Sequence, residues 1–442
     1  MPASPLDSLL YRDLLGDPEI ARLFTDSAEL RAMLLVEGAL AKVQGALGLI
    51  PAESAAFLHR ATLEIQIDPA GLAAETGANA VPVPGLIAAA RKALEAPEHS
   101  QWLHWGATSQ DIIDTALMLR LRQVLSILSA RISALLARLA DLAEAHATLP
   151  MAARTYAQVA TPTSFGAVVA GWGAPLLRQR ERLENVKADL LKVSLSGASG
   201  TNSAMGPDAP KVRAGLAAAL NLADPGESWH AARDGVAGLA AWITITAQLL
   251  GRIGEDLILL SQSGIEEVQL GQGGGSSTMP QKVNPVGPSV LVALARQMTG
   301  LGATMAGAAL HRQQRDATAW ITEWLALPQM CAGLGRMLLT AEGLAASLAP
   351  APARMQAALA DGLGLLYAEA LSFALAETMP RPAAEAAVKA LVAEARACGT
   401  ALPTLAARDF PGPDWPARLT PAALLGQAPA EARAFAAAVR AL

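Results

Sequence analysis

The chain has 442 residues, 52% of them hydrophobic and only 17% charged, which supplies a large core and two or three domains but too little polar surface to cover a lone monomer, so burial between subunits is expected. A net charge of −5 lacks the basic excess of a nucleic-acid binder. Cys331 and Cys398 are the only two cysteines, with neither CxxC nor zinc-ligand spacing, so no disulfide framework and no metal site are expected and a reducing, cytoplasmic compartment fits.

In chain order, the N-terminal MPASPLDSLLYRDLLGDPEI has no basic stretch followed by an apolar one, so a signal peptide is not expected. The stretch SAELRAMLLVEGALAKVQGALG repeats Leu30, Met33, Leu34, Leu40, Val43 and Leu47 at helical spacing, and shorter helices continue to about residue 110, broken by TGANAVPVPG. Residues 111–146 hold neither proline nor glycine and predict one helix of about 50 Å. Further long helices are predicted over 164–193, 231–263 and 288–325, and LAPAPARM at 348–355 marks a boundary. The result is an all-α chain of three regions: an N-terminal helical domain at 1–110, a central long-helix bundle with active-site loops at 111–350, and a small C-terminal helical domain at 351–442. The uncharged run 235–251 would reach about 26 Å, short of a ~30 Å bilayer core. With two threonines and a glutamine inside it, it reads as a helix buried among helices, and no membrane partner is expected.

Polar islands interrupt this apolar background. HWGATSQD, 104–111, reads as a helix start, because Thr108 and Asp111 have capping-box spacing; His104, Ser109 and Gln110 go beyond that, and a helix N-terminus also suits an anion. RTYAQVATPTSFG brings Arg154, Thr155 and Gln158 to what is equally a helix connection. SGASGTNSAMG, 196–206, has the composition of a flexible linker and of an anion-binding loop alike. In SWHAARD, His230 beside Trp229 reads first as a packing residue. HRQQRDATAW places His311, Arg312 and Arg315 in the helix predicted from Pro288, either as a solvated face or, for Arg315, as a bidentate carboxylate ligand. The stretch 273–285, GGGSSTMPQKVNP, resists a linker reading most, since Lys282 and Asn284 stand between prolines ahead of a helix start.

The sequence holds no phosphate loop, GxGxxG, GxSxG or HExxH, so nucleotide, hydrolase-elbow and zinc-protease chemistries lack support. Hydroxyls, histidines, a lysine and glycine-rich amides suit stabilisation of an enolate-like dianion beside a carboxylate, with a positioned proton carrier and no cofactor.

GSSTMPQKVNP at 275–285 resembles the signature of the fumarase/aspartase superfamily. The islands HWGATSQDIIDTALML, MAARTYAQVATPTSFG, SLSGASGT and SWHAARD, with FTDSAELRAMLLVEGALAKVQGALGLIP and LLGQA, are most similar to its 3-carboxy-cis,cis-muconate cycloisomerase branch. The resemblance spans nearly the whole chain. It implies a homotetramer joined through the central helices, with active sites shared between subunits and a small polycarboxylate substrate. It also implies an intramolecular lyase reaction that makes 4-carboxymuconolactone in protocatechuate breakdown. Ser276 would carry the proton, Lys282 and Asn284 would hold carboxylate, and His104 would be a second acid–base or hydrogen-bonding group. Thr108, Ser109, Arg154, Gln158, Thr201, His230, Ser277, Met279 and Arg315 would line the substrate. The chain departs from the superfamily at Tyr156, where many lyases carry histidine, and at Gln281 and Val283, where MPHKRNP is common. One cation for a tricarboxylate is thereby missing, for which Arg154, Arg312 or Arg315 would compensate unless the substrate carries fewer charges. A fumarate-releasing lyase of the adenylosuccinate or argininosuccinate type and a catalytically silent structural homologue are the alternatives.

Overall fold

The computed structural model describes residues 4–271, 274–275 and 278–442. The fold is all-α. The predicted long helices appear as Ser109–Ala145, Phe165–Leu190 and Asp234–Ser261. The helix expected over 288–325 does not form as one piece: Val286–Ala308 ends, and Ala317–Ser347 starts afresh. The reason is local. Asp316 accepts from the amides of Thr318 and Ala319 at the new helix start and from Arg312 N and Nε at 3.1 and 2.6 Å, and Gln313 takes a left-handed φ of 56°. His311, Arg312 and Arg315 therefore sit on a connection and not on a helix. The described strands form three two-stranded sheets, an element the helical periodicity scarcely suggested.

The chain divides into two compact units, and the five long helices contribute segments to both. Unit 1 comprises residues 1–131, 179–248 and 294–338. Its core joins Met33, Leu40, Leu58, Leu86 and Ile112 to Val193, Val212, Leu216 and Trp320. The helices Asp26–Ala46 and Ala52–Glu64 approach closely, because a Cβ on Gly45 would collide with Ala55 Cβ. Thr25 caps the first of them by accepting from Ala28 N at 3.3 Å.

Unit 2 comprises residues 132–178, 249–293 and 339–442. Strand Pro150–Thr155 pairs antiparallel with Gln158–Ser164. Tyr156 and Ala157 form the two-residue turn, both at positive φ (49° and 59°), the signature of a type I′ hairpin. Strand Val268–Leu270 pairs with Leu348–Pro350, and Gly274–Gly275 pairs with Val283–Asn284. A separate core around Leu371, Leu391, Leu402 and Trp415 holds the helices between Ala368 and Arg418.

By length and composition Ser109–Ala145 and Asp234–Ser261 are both apolar enough to cross a bilayer, one more than the sequence run suggested. The first nevertheless buries Asp111, Asp114, Arg120 and Arg131, each at most 9% exposed, against protein groups, which marks it as a protein-core helix.

Close packing in unit 2 is directly testable. A Cβ on Gly166 would meet the Ala143 carbonyl oxygen and lie 2.6 Å from Ala147 Cα, whereas Gly343, inside Ala317–Ser347, has nothing within 4 Å. Gly166→Ala should cost about 1–3 kcal/mol in denaturant unfolding, and Gly343→Ala should leave stability unchanged or raise it by up to ~1 kcal/mol.

Candidate active site

Helix Ser109–Ala145 organises the polar islands of unit 1 through its first turn. Asp111 is fully buried and acceptor-only: Oδ1 takes hydrogen bonds from Ser196 N (2.8 Å) and His230 Nε2 (2.8 Å), and Oδ2 from Gly197 N (3.0 Å) and Thr108 N (3.0 Å). The Thr108 amide contact is one half of the predicted capping box. The Thr108 hydroxyl, which a full box would also use, accepts from Arg315 Nη2 at 3.3 Å. Gly197, at φ 70°, turns its amide to the carboxylate in a conformation that side chains disfavour.

One residue further, Gln110 donates to the His230 carbonyl (2.9 Å) and to Asp114 Oδ2 (3.1 Å), and accepts from Arg315 Nε (2.8 Å). Arg315 also donates to Ala198 O at 3.3 Å. Its bonded partners are an amide, a hydroxyl and a backbone carbonyl, all neutral, so among the described residues no carboxylate in hydrogen-bond contact cancels its charge.

One turn on, Asp114 and Glu323 grip Arg233 from two sides. The guanidinium reaches Asp114 Oδ2 at 2.7 Å and Oδ1 at 3.2 Å, and Glu323 Oε1 at 2.9 Å and Oε2 at 2.5 Å, over the Trp229 ring at 4.8 Å. Burial opposes the charge on Arg233, but the two carboxylates outweigh it and raise its pKa. Burial likewise pushes Glu323 up, and Arg233 with His311, whose Nε2 is 3.6 Å from Oε1, brings it below its ordinary 4.5.

His104 sits at φ 65° in the turn before this helix. Gln44 Nε2 holds Trp105 O at 2.7 Å, and Arg91 holds Ser100 O at 3.2 Å and Leu103 O at 3.0 Å. The ring Nδ1 lies 2.6 Å from Oε1 of fully buried Glu37. Burial opposes a charged ring, yet the field and hydrogen bond of Glu37, with help from Asp111 and against Arg91, raise its pKa above 6.5.

Of the residues predicted from sequence, His104, Thr108, Ser109, Thr201, His230 and Arg315 thus lie in unit 1, and the Asp111–Gln110 hub ties Thr108, His230 and Arg315 together. Thr201 is exposed on the 196–202 loop. His230 is 1% exposed, and its Nδ1 has no hydrogen-bond partner among the described residues. In unit 2, Arg154 forms a bidentate pair with buried Glu267 at 2.7 and 3.0 Å, and Gln158 is exposed on the hairpin. Lys282 and Met279 are exposed, with Lys282 N bonded to Met279 O at 3.0 Å, and Asn284 is partly buried on its two-residue strand. Ser276 and Ser277 lie outside the described residues. Sequence reasoning missed Glu37, Asp114, Glu267 and Glu323, and saw Asp111 only as a cap. Two carboxylates three residues apart, Asp111 and Asp114, among the apolar residues that open Ser109–Ala145 were the available signal. A cavity of about 210 Å³ lined by Phe24, Glu29, Arg120, Glu323 and Trp324 lies in unit 1 and contains none of the predicted site residues.

Comparison with known proteins agrees with this architecture. A family model described as a lyase matches residues 18–300. The chain belongs to this lyase family, the fumarase/aspartase superfamily. A 3-carboxy-cis,cis-muconate cycloisomerase from Pseudomonas aeruginosa is 39% identical over 368 residues, covering 82% of this chain and 80% of the relative. The crystal structure of a 3-carboxy-cis,cis-muconate lactonizing enzyme from Pseudomonas putida superposes with a TM-score of 0.91 at 32% identity, covering 98% of this chain and 99% of that one. An N-acetyl-S-(2-succino)cysteine lyase from Enterococcus italicus is 30% identical over 382 residues, 86% of this chain and 84% of its own.

Replacing Arg233 would strip buried Asp114 of its guanidinium partner and leave buried Glu323 with His311 alone. Arg233→Met should cost about 3–5 kcal/mol of unfolding free energy in urea titrations at neutral pH. In the wild type, the depressed Glu323 adds stability that is present above pH 4.5 and lost as the pH falls through its lower folded value. The variant should lose that acid-limb dependence.

Proposed function

We propose that the chain catalyses the cycloisomerisation of 3-carboxy-cis,cis-muconate to 4-carboxymuconolactone. The likeness to a muconate cycloisomerase over four fifths of both chains carries the reading. One substrate carboxylate oxygen adds to the double bond conjugated with another carboxylate, forming the ring C–O bond and pushing the electron pair into an aci-carboxylate. Protonation at the α carbon then restores the carboxylate and leaves the lactone. The residues' part is to hold three carboxylates, stabilise the aci-carboxylate and deliver one proton.

In this reading Ser276 donates the proton, Lys282 and Asn284 hold a carboxylate beside it, and Ser277 and Met279 complete that loop. The unit 1 set of His104, Thr108, Ser109, Thr201 and Arg315 binds the remaining carboxylates, with His230 held behind it by Asp111. Arg315 suits this role because its bonded partners are neutral. Arg154 is engaged by Glu267 and Arg312 by Asp316, so neither is the natural replacement for the cation absent at Val283. Gln158 contributes from the hairpin.

The active unit in this proposal is a homotetramer in the cytoplasm, each site combining residues of different copies. Support comes from the low charge content and from a stripe of exposed positions on Asp234–Ser261, among them Ala241, Ile245, Arg252 and Leu259.

One second reading is a lyase that eliminates fumarate from a succinyl-bearing substrate, for which the similarity to an N-acetyl-S-(2-succino)cysteine lyase speaks. An ultraviolet assay decides. Loss of diene absorbance with lactone formation is expected, and fumarate from succinyl-bearing substrates, without diene turnover, would replace this function with the other. Within the proposed reaction, Ser276→Ala should lower kcat by roughly 10²–10³. Near-normal turnover in Ser276→Ala, with abolition in Lys282→Met at unchanged binding, would move the proton donor to Lys282.

A further inference from the structure

We propose that Glu37 is a positioning residue that holds His104 as a charged imidazolium, which binds a substrate carboxylate and adds a second cation to that of Arg315. The inference rests on the polycarboxylate reading above and goes beyond it by assigning the charge of His104 and the residue that sets it.

Glu37 comes from the middle of helix Asp26–Ala46, and its side chain is fully buried. Its Oε1 meets His104 Nδ1 at 2.6 Å, and its Oε2 has no hydrogen-bond partner among the described residues. Burial at that depth makes an unpaired charge costly, and the His104 ring is the group in contact with Glu37. The ring cannot readily turn away. Its own backbone is left-handed at φ 65°, and Arg91 and Gln44 clamp the preceding and following carbonyls.

With Nδ1–H given to Glu37, the ring keeps Nε2–H as its second donor, on a side chain that is 20% exposed. A ring already protonated cannot accept the proton of a base-catalysed step. It can make a charge-assisted hydrogen bond to a carboxylate. The charged groups around it are Glu37 from Asp26–Ala46, Asp111 from Ser109–Ala145 and Arg91 from Val83–Leu94; the first two favour the charge and the third opposes it. Binding through the charged ring is complete at low pH and is lost as the pH rises through the ring's raised pKa.

The test compares wild type, Glu37→Gln, Glu37→Asp and His104→Gln by pH profiles of KM and kcat with 3-carboxy-cis,cis-muconate. In Glu37→Gln, the pH at which KM begins to rise should move down, KM near neutrality should increase roughly tenfold or more, and kcat should stay within about threefold. Glu37→Asp should restore part of the loss. His104→Gln should raise KM at low pH and flatten this limb. An unchanged KM profile in Glu37→Gln, or a collapse of kcat at constant KM, overturns the proposal. Histidine-labelled wild-type enzyme gives a readout independent of turnover and of whether the variants fold. The ring signal missing from His104→Gln should titrate above 6.5, and titration at or below that value overturns the proposal even if another substrate replaces the muconate.

Discussion

Two buried carboxylates one helical turn apart, Asp111 and Asp114, are the constraint on which unit 1 depends. Each is fully buried in the first turns of Ser109–Ala145, where an unpartnered ionised carboxylate would be costly. The chain meets that cost with amides of the 196–197 loop, the ring of His230 and the guanidinium of Arg233. Segments about a hundred residues apart are thereby pinned to one helix start. Such a network is rigid when complete and unstable when any member is missing, because the low local dielectric strengthens both the contacts and the penalties.

The same principle sorts the arginines. Arg233, Arg154 and Arg312 are each bound by carboxylates of their own chain, and their charges hold the architecture together. Among the described residues Arg315 is bonded to neutral groups only, and it stands where Thr108 and the 196–202 loop meet. An arginine in a sequence is a cation of unknown allegiance. Whether it faces a substrate or a buried glutamate depends on which carboxylate the fold brings within 3 Å.

Much of the fold was legible because helical periodicity over twenty or more residues is a strong signal. Ser109–Ala145, Phe165–Leu190 and Asp234–Ser261 lie within a few residues of their predicted bounds. The helix predicted over 288–325 failed because the segment 309–316 has no proline or glycine to announce a break. Asp316 makes the break by capping the next helix, and capping competes with helix continuation only through hydrogen bonds that periodicity does not register. The hairpin of Pro150–Thr155 with Gln158–Ser164 was similarly hidden, since its turn uses Tyr156 and Ala157 at positive φ where Asn-Gly would be the readable choice.

By itself the sequence determined the helical class, the polar islands at 104–111, 196–206, 228–234 and 273–285, and, through GSSTMPQKVNP, the superfamily. These are properties of composition and short-range spacing. Only the tertiary structure decided the partners: Glu37 behind His104 across 67 residues, Asp111 under His230 across 119, and Glu267 on Arg154 across 113. Ion pairing acts over a few ångströms of space irrespective of distance along the chain. The chemical character of His104, Arg154 and Arg315 therefore became readable only once folding had chosen their neighbours.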